Sequence, residues 1–343
     1  MALRRVTMQA VADACGLSRN TVSKIFNNRG TVPETTKQLV LKKAQELGYL
    51  PPSVEAPANT EPHRQNIVLL TCHMPTDYHF GTLFIPAFAG QLSRAGYTLM
   101  MYELSREELR QGSLPAHMDP DQTAGILGIE LFDSNYQKKL CALGLPIIFV
   151  DDCYGANMSL MQHDRISMEC LSSTTALVNH VIAQGAKRIG FVGDFQHCNS
   201  FYERWEGFCI ALSSAGIRLD RELCILERDD SSYSDPAWLY EKVRQMPQLP
   251  DALICANDFI AIKLMTAFKQ MGVLVPQQVM IAGFDGTPQS AVLEPSLTTV
   301  EIPSADIGRI AADILLDRIE NPDRPFRCTY VKATPVFRGS TDR

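Results

Sequence analysis

No run of about 18 apolar residues occurs anywhere in the 343-residue sequence, which excludes a typical transmembrane helix. The start, MALRRVTMQA, has two arginines but no apolar segment behind them, so it lacks the pattern of a secretory signal. We therefore expect a soluble protein that has no membrane partner and stays in the cytoplasm.

Paired cysteines are also missing. Ten cysteines are present, but no two form a C-x-x-C pair, and most lie within apolar runs such as IVLLTC and DALIC. This pattern favours reduced cysteines that pack as small hydrophobic side chains over disulfides or a zinc site. The seven histidines are scattered without metal-ligand spacing, so the sequence predicts neither a metal nor another cofactor.

The common catalytic motifs are absent as well. We find no G-x-S-x-G elbow, no H-E-x-x-H, no P-loop, and no G-x-G-x-x-G after a predicted strand. The sequence therefore does not favour an enzyme.

What the sequence does contain is an uneven distribution of charge. Residues 1–50 carry a net charge of +5 and the remaining residues −11. A basic N-terminal segment on an acidic protein is typical of a nucleic-acid-binding module attached to a second domain.

The chain divides into three segments by pattern. Residues 1–50 have helical apolar spacing in three short stretches, at 8–14, at 18–28 and from 33 to 47, with Gly16 placed to permit a tight turn after the first. Residues 51–65, PPSVEAPANTEPHRQ, contain four prolines and predict a semi-extended linker. Residues 66–343 form the third segment.

The third segment alternates short apolar runs with amphipathic stretches. Buried parallel strands are predicted at 67–72, 98–102, 124–129, 146–150, 188–192, 252–256 and 279–284. Helices are predicted near 84–95, 169–184, 200–215, 257–271 and 305–319. The fold class is therefore an all-α three-helix headpiece followed by an α/β region, whose length suggests two lobes.

The second predicted helix has a polar face suited to the DNA major groove. With Val22, Ile25 and Phe26 facing a small core, Asn20, Lys24 and Asn27 fall on the opposite side, and Ser18 and Arg19 project from the first turn. Arginine and lysine donate to guanine, and asparagine pairs with adenine. A merely solvated polar face would leave the Gly turn, the N-cap and the charge of +5 without a common explanation.

The stretch VTMQAVADACGLSRNTVSKIFNNRGTVPETTKQLVLKKAQELGYLP resembles the DNA-binding headpiece of the LacI/GalR family of bacterial transcription regulators, over nearly every position from 6 to 51. The resemblance implies that Arg19, Asn20 and Lys24 read bases. It also implies that Thr7, Ser18, Thr21, Ser23 and Asn27 mostly hold the DNA backbone.

One stretch departs from that family. Its members usually follow the headpiece with a hinge helix whose leucine enters the minor groove. Here the corresponding residues are SVEAPAN, with Ala58 at the place of the leucine and Pro57 beside it. Because proline lacks a donor and disfavours helix before it, we expect no regular hinge helix.

The third segment resembles the larger region of the same family, which is shaped like periplasmic sugar-binding proteins. The matching stretches include LPIIFVDD, QGAKRIGFVGD, ERWEGF, ALICANDFIAI and MIAGFDG. The resemblance implies ligand contacts at Asp151, Arg204, Asn257 and Asp285, and from Tyr78 and Phe80 in the loop after the first strand. Each polar residue also has a structural alternative: a helix or turn cap for Asn257 and Asp285, a surface acid for Asp151, and pairing with Glu203 or Glu206 for Arg204.

We therefore predict a transcription regulator, most simply a repressor, that binds a pseudo-palindromic double-stranded DNA operator and a small-molecule effector such as a sugar or glycoside. One headpiece reads only a half-site, and no heptad tail follows VFRGST, so we expect a homodimer. Two alternatives remain open: a regulator that responds to a nucleobase, and a sugar-binding protein whose headpiece does not bind DNA.

Overall fold

The computed structural model describes residues 7–26, 32–47, 49, 65–74, 81–228 and 232–343. The chain divides into two compact units, residues 1–63 and residues 64–343, which we call the head and the body. The predicted linker at 51–65 lies outside the described residues except for residue 65, so the expected absence of a hinge helix stays a prediction. In the described ranges, no helix is both long and apolar enough to span a membrane.

Three helices form the described part of the head: α1 (Met8–Cys15), α2 (Arg19–Phe26) and α3 (Glu34–Leu47). Gly16 ends α1 with φ of 65°, which confirms the tight turn predicted there, because a side chain would be strained in this conformation. The three helices share one small apolar core, which consists of Val11, Ala12, Val22, Ile25, Val40, Ala44 and Tyr49.

The body alternates strands and helices as the sequence predicts. Its strands are β1 (Asn66–Thr71), β2 (Thr98–Glu103), β3 (Thr123–Ile129), β4 (Ile147–Val150), β5 (Asp164–Met168), β6 (Ile189–Val192), β7 (Ala252–Cys255), β8 (Met280–Ala282), β9 (Thr299–Glu301), β10 (Cys328–Val331) and β11 (Thr334–Val336). Its helices are α4 (Gly81–Arg94), α5 (Arg106–Gln111), α6 (Ser134–Cys141), α7 (Leu171–Ala183), α8 (Asn199–Ser214), α9 (Pro236–Arg244), α10 (Asp258–Met271), α11 (Pro288–Val292) and α12 (Ser304–Glu320).

Two parallel sheets define two lobes in the body. The first lobe contains a six-stranded sheet in the order β10-β5-β4-β3-β1-β2, and the second contains a three-stranded sheet in the order β6-β7-β8 with the antiparallel pair β9-β11. The chain passes between the lobes three times, at 169–170, 302–303 and 332–333. These observations confirm the predicted two-lobed α/β fold.

Helix α12 returns from the second lobe to pack along α4 in the first. Gly308 permits this close approach, because a Cβ there would lie 2.4 Å from the carbonyl oxygen of Phe84. The contact packs the helix that follows the second interlobe crossing, at 302–303, against the first helix of the body.

The body differs from the sequence prediction at several elements: strands β5, β9, β10 and β11 and helices α5, α6, α9 and α11 were not predicted, and strand β2 is not buried. Strand β2 is parallel as expected but not buried, because it forms the edge of its sheet and its side chains are half-exposed or exposed. Strand β5 was not predicted at all, although all five of its residues are buried. Its sequence DRISM looks like a surface segment because Asp164 and Arg165 are charged, yet Asp164 is fully buried in ion pairs with Arg318 and Arg327.

Candidate functional site

The exposed face of α2 carries the basic side chains that are predicted to read DNA. Arg19 begins the helix and Lys24 lies in its last turn, and both are exposed. The hydroxyl of Ser18 accepts a hydrogen bond from the backbone N–H of Thr21 at 3.1 Å and lies 2.8 Å from the Thr21 hydroxyl. This cap stabilises the first turn, from which Arg19 projects.

The other predicted DNA contacts are partly outside the described residues. Thr7 caps α1, with its hydroxyl accepting a hydrogen bond from the N–H of Ala10 at 3.3 Å. Ser23 is half-buried on α2, and so is Thr21. The side chain of Asn20 and the whole of Asn27 lie outside the described residues.

A cavity of about 610 Å³ lies between the two lobes of the body, where the strands of both parallel sheets end. Ligands of open α/β sheets bind at such carboxyl ends. Four predicted ligand residues line this cavity, which we call the interlobe cleft: Asp151, Arg204, Asn257 and Asp285. Tyr78 and Phe80 lie outside the described residues, so their place in the cleft stays a prediction.

Three acidic residues of the interlobe cleft have an unusual backbone conformation. The φ angles of Glu130, Asp151 and Asp285 are 51°, 65° and 114°, and among the described residues no other non-glycine residue has a positive φ. Such a conformation costs on the order of 1–3 kcal/mol and tends to occur at functional sites. All three face one cavity, which supports a binding role for it.

Arg204 brings a buried positive charge to the cleft from α8. Only 3% of its surface is exposed. Its Nη1 donates to the carbonyl of Ala256 at 2.5 Å, and its Nη2 lies 3.4 Å from Oδ1 of Asp285. The guanidinium carbon also lies 3.8 Å from the ring centroid of Phe284, so the group is held from three sides.

The two acidic neighbours that the sequence left as alternative partners of Arg204 are engaged elsewhere. Glu203 accepts hydrogen bonds from the Tyr330 hydroxyl at 2.6 Å and from the Asn199 amide at 2.8 Å. Glu206 interacts with the hydroxyl of Tyr202. Arg204 therefore belongs to the cleft and not to a surface ion pair.

Asp151 connects the end of β4 in the first lobe with the start of α8 in the second. Its two carboxylate oxygens accept hydrogen bonds from the backbone N–H of Ser200 at 3.1 and 3.2 Å. The neighbouring Asp152 does not compete for this role, because its carboxylate lies 3.7 Å from Arg165 and 3.6 Å from His163. The helix dipole favours a carboxylate at the N-terminus of a helix, which is where the Asp151 side chain meets α8.

Asn257 both caps a helix and lines the interlobe cleft, and its role as a ligand contact stays a prediction. Its Oδ1 accepts a hydrogen bond from the N–H of Ile260 at 2.9 Å and so caps α10, while the residue lines the cleft. The cap uses the oxygen and leaves the amide Nδ2 as a donor for a ligand. Asp285 is not a helix cap, because Thr287 occupies the N-cap position of α11.

A buried carboxyl group lies close to Asp285 of the interlobe cleft. Asp258 is fully buried and accepts hydrogen bonds from the Thr299 hydroxyl at 2.6 Å and the Thr287 N–H at 2.8 Å. Burial, together with the negative charge of Asp285, raises the pKa of Asp258 to about 7. The second lobe therefore contains a carboxyl group that titrates near neutral pH.

Several lining residues were not predicted from the sequence. Besides Glu130, they include His73, Phe132, His197, Phe201 and Phe259. Glu130 directly follows β3, so the rule that identified Asp151 after β4 would have found it too. His197 lies 5.1 Å from both Phe132 and Phe201, measured between ring centroids, and this row of rings spans the two lobes.

Comparison with known families finds one match in each unit of the chain. Residues 7–52 match the family described as bacterial regulatory proteins, lacI family. Residues 178–341 match the periplasmic binding protein-like domain.

Individual relatives match nearly the whole chain. Over 331 residues, the chain is 27% identical to the HTH-type transcriptional repressor PurR of Glaesserella parasuis serovar 5 (strain SH0165), with 93% of each chain covered. It is 25% identical over 338 residues to the HTH-type transcriptional repressor CytR of Escherichia coli (strain K12), which covers 98% of this chain and 96% of CytR.

Solved structures show the same fold at lower sequence identity. The transcriptional regulator CelR–cellobiose complex superimposes with a TM-score of 0.72 at 23% identity, covering 98% of this chain and 100% of that one. The lac repressor dimer bound to operator and the anti-inducer ONPF gives a TM-score of 0.71 at 21% identity, covering 98% and 99%.

Proposed function

We propose that this chain, which belongs to the lacI family of bacterial regulatory proteins, is a cytoplasmic repressor. It binds a pseudo-palindromic DNA operator as a homodimer, and a small molecule in the interlobe cleft controls this binding. The relatives PurR and CytR and the structural neighbours CelR and the lac repressor are transcription regulators and not enzymes.

Operator binding rests on α2 of the head. Its exposed Arg19 and Lys24 have the donors that read guanine, and the net charge of +5 over residues 1–50 attracts DNA phosphates. A single α2 reads one half-site, so a two-fold symmetric dimer supplies the second. The solved lac repressor, which shares the fold, is a dimer on its operator.

The observation that carries the effector proposal is the charge of the interlobe cleft. Glu130, Asp151 and Asp285 supply three carboxylates, against the single guanidinium of Arg204. This excess of negative charge disfavours phosphorylated or carboxylated ligands. Carboxylates and a guanidinium held in fixed positions suit the vicinal hydroxyl groups of a neutral sugar or glycoside, and a cavity of about 610 Å³ is of the right size.

A nucleobase or nucleoside is the second candidate, and the row of rings in the cleft favours it. His197 lies edge-on to Phe132 and tilted against Phe201, with 5.1 Å between ring centroids in each pair, and the three rings come from both lobes. Aromatic side chains cover the apolar face of a sugar, but they also stack on the planar face of a base.

Regulation follows if the effector binds one arrangement of the lobes more tightly than another. Asp151 and Ser200 already join the lobes across the cleft, so a ligand that competes for the Asp151 carboxylate changes an interlobe contact. The effect on operator binding is limited to the difference in ligand affinity between the two arrangements.

DNA binding is tested by selection of a random double-stranded DNA library on the purified chain at near-physiological salt. We expect enrichment of a palindrome. In binding assays on the enriched sequence, Arg19→Ala should cost about 1–3 kcal/mol at one position of each half-site and relax the preference there. Salt-sensitive binding without enrichment would contradict a sequence-specific regulator and would favour a ligand-binding protein whose head does not read DNA.

The effector class is tested by calorimetric titration with neutral sugars and glycosides, nucleobases and nucleosides, and sugar phosphates. We expect a neutral sugar or glycoside to bind and the phosphates to fail. Binding of a purine without any response to carbohydrates would replace the first candidate with the second. Binding of sugar phosphates alone would refute the charge argument.

Two substitutions connect the bound ligand with the cleft. Asp285→Asn and Asp151→Asn remove a charge but keep a residue that tolerates positive φ, so folding should survive. Each should weaken effector binding by roughly tenfold or more, as expected for loss of a hydrogen bond to a charged group. The matched control is Asp306→Asn on the exposed side of α12, which should bind as the unaltered chain does.

A further inference from the structure

Three sulfur atoms meet on the first lobe, away from the interlobe cleft. Cys328 begins β10, which forms the edge of the six-stranded sheet opposite β2. Its Sγ lies 3.7 Å from Sδ of Met158 and 3.7 Å from Sδ of Met161, both in the segment between β4 and β5. None of the three side chains lines the interlobe cleft.

The accessibility of the thiol separates this cluster from the other cysteines. All ten cysteines are free, and Cys328 is the one that is exposed. Met158 is 60% exposed, and Met161 is half-buried. An ion in solution can therefore reach the three sulfurs without unfolding of the core.

The separations of the Cys328 sulfur from the two methionine sulfurs suit ligands of a single metal ion. Metal–thiolate bonds of about 2.3 Å, the length known for zinc, place ligand sulfurs roughly 3.8–4.0 Å apart in tetrahedral or trigonal geometry. The observed 3.7 Å separations need only small adjustments to reach that range.

The kind of donor and its charge select the metal. One thiolate and two thioethers are soft ligands, which favour Cu(I) over harder cations. One thiolate neutralises one positive charge, so a monovalent ion leaves the site neutral. A divalent ion would leave an excess positive charge beside Arg165, whose Nη2 lies 3.7 Å from Sδ of Met158.

We propose that Cys328, Met158 and Met161 form a surface site for Cu(I). The ion binds to the Cys328 sulfur as the thiol proton is released to solvent, and each methionine donates a sulfur lone pair without losing a proton. The oxidation state of copper does not change.

The proposal is tested by anaerobic titration of the reduced full-length chain with Cu(I) in competition with a colorimetric Cu(I) chelator. We expect one equivalent to bind above the background of the other thiols, and Cys328→Ser to lose it. Since Cys328 is exposed, this variant should keep its fold, which circular dichroism verifies. The matched control is Cys209→Ser, which removes a half-buried thiol on α8 and should keep the site.

The methionines are tested separately, because sulfur side chains also pack together without a metal. The double variant Met158→Leu/Met161→Leu keeps the apolar volume and should lower Cu(I) affinity by on the order of tenfold or more, the scale on which loss of supporting groups weakens a metal site. X-ray absorption of the loaded chain should show sulfur as the only neighbour of copper. Unchanged copper uptake in Cys328→Ser, or unchanged affinity in the double leucine variant, would overturn the proposal.

Discussion

The head and the body differ in what they bury. In the described part of the head, every buried side chain is apolar, whereas the body buries ionisable groups that include Asp151, Asp164, Arg204, Asp258 and Arg318. The candidate DNA contacts Arg19 and Lys24 are exposed on one helix, but the candidate ligand contacts lie inside the body between two lobes. Binding residues on the surface of one helix can be predicted from their spacing in the sequence. Binding residues at the ends of several strands come together only in the tertiary fold.

The largest expected effect comes from breaking a buried ion pair in the body. Arg318 is 3% exposed, and its Nε and Nη2 donate to the Asp164 carboxylate at 2.8 and 3.1 Å. Arg318→Leu leaves that carboxylate without its main partner, which should cost about 3–5 kcal/mol of body stability, measured by urea unfolding. Arg324→Leu removes an exposed arginine of the same region and should cost about 1 kcal/mol or less. Equal losses of stability in the two variants would contradict the idea that burial makes the Arg318 ion pair more important than an exposed one.

The second prediction concerns the small apolar core of the head. Ile25 is 5% exposed and is one of seven buried side chains there. Ile25→Ala should cost about 3 kcal/mol, comparable to the total stability of so small a core. Operator binding should then be lost while effector binding in the body persists. Leu39→Ala, at a position of α3 that is 47% exposed, is the control and should retain operator binding; if Ile25→Ala also retained it, the head would be more stable than its core suggests.

The same contrast explains how far sequence analysis could reach. The three helices of the head were predicted because their apolar spacing is not interrupted by buried charge. Strand β5 was missed because Asp164 and Arg165 make DRISM look polar. The buried partner of Asp164 is Arg318, which lies on α12 more than 150 residues away in the sequence. Four ligand residues came from family resemblance and from their place after apolar runs, but the strained backbone of Glu130 is visible only in the folded chain.

A third prediction uses the titration of a buried carboxyl group. The folded pKa of Asp258 is about 7, well above its unfolded value near 3.8, because burial and the charge of Asp285 disfavour ionisation. Between these values the folded chain holds a proton that the unfolded chain has lost, so stability falls as pH rises. From pH 5 to pH 7, the unaltered chain should lose about 2 kcal/mol relative to Asp258→Asn, followed by urea unfolding. Parallel pH profiles of the two chains would show that Asp258 does not titrate in this window, and Asp306→Asn is the exposed control.

The smallest expected effect concerns the strain at the interlobe cleft. Glu130 adopts a φ of 51°, which glycine reaches without a steric penalty, so Glu130→Gly should stabilise the body by about 1 kcal/mol or less once the greater freedom of the unfolded glycine is included. It should at the same time weaken effector binding, because it removes one of three carboxylates from the cleft. Glu103→Gly at the exposed end of β2 is the control, since it removes a glutamate from ordinary strand backbone and should be destabilising. A stabilised variant that still binds effector normally would show that the strained backbone at Glu130 does not serve ligand binding.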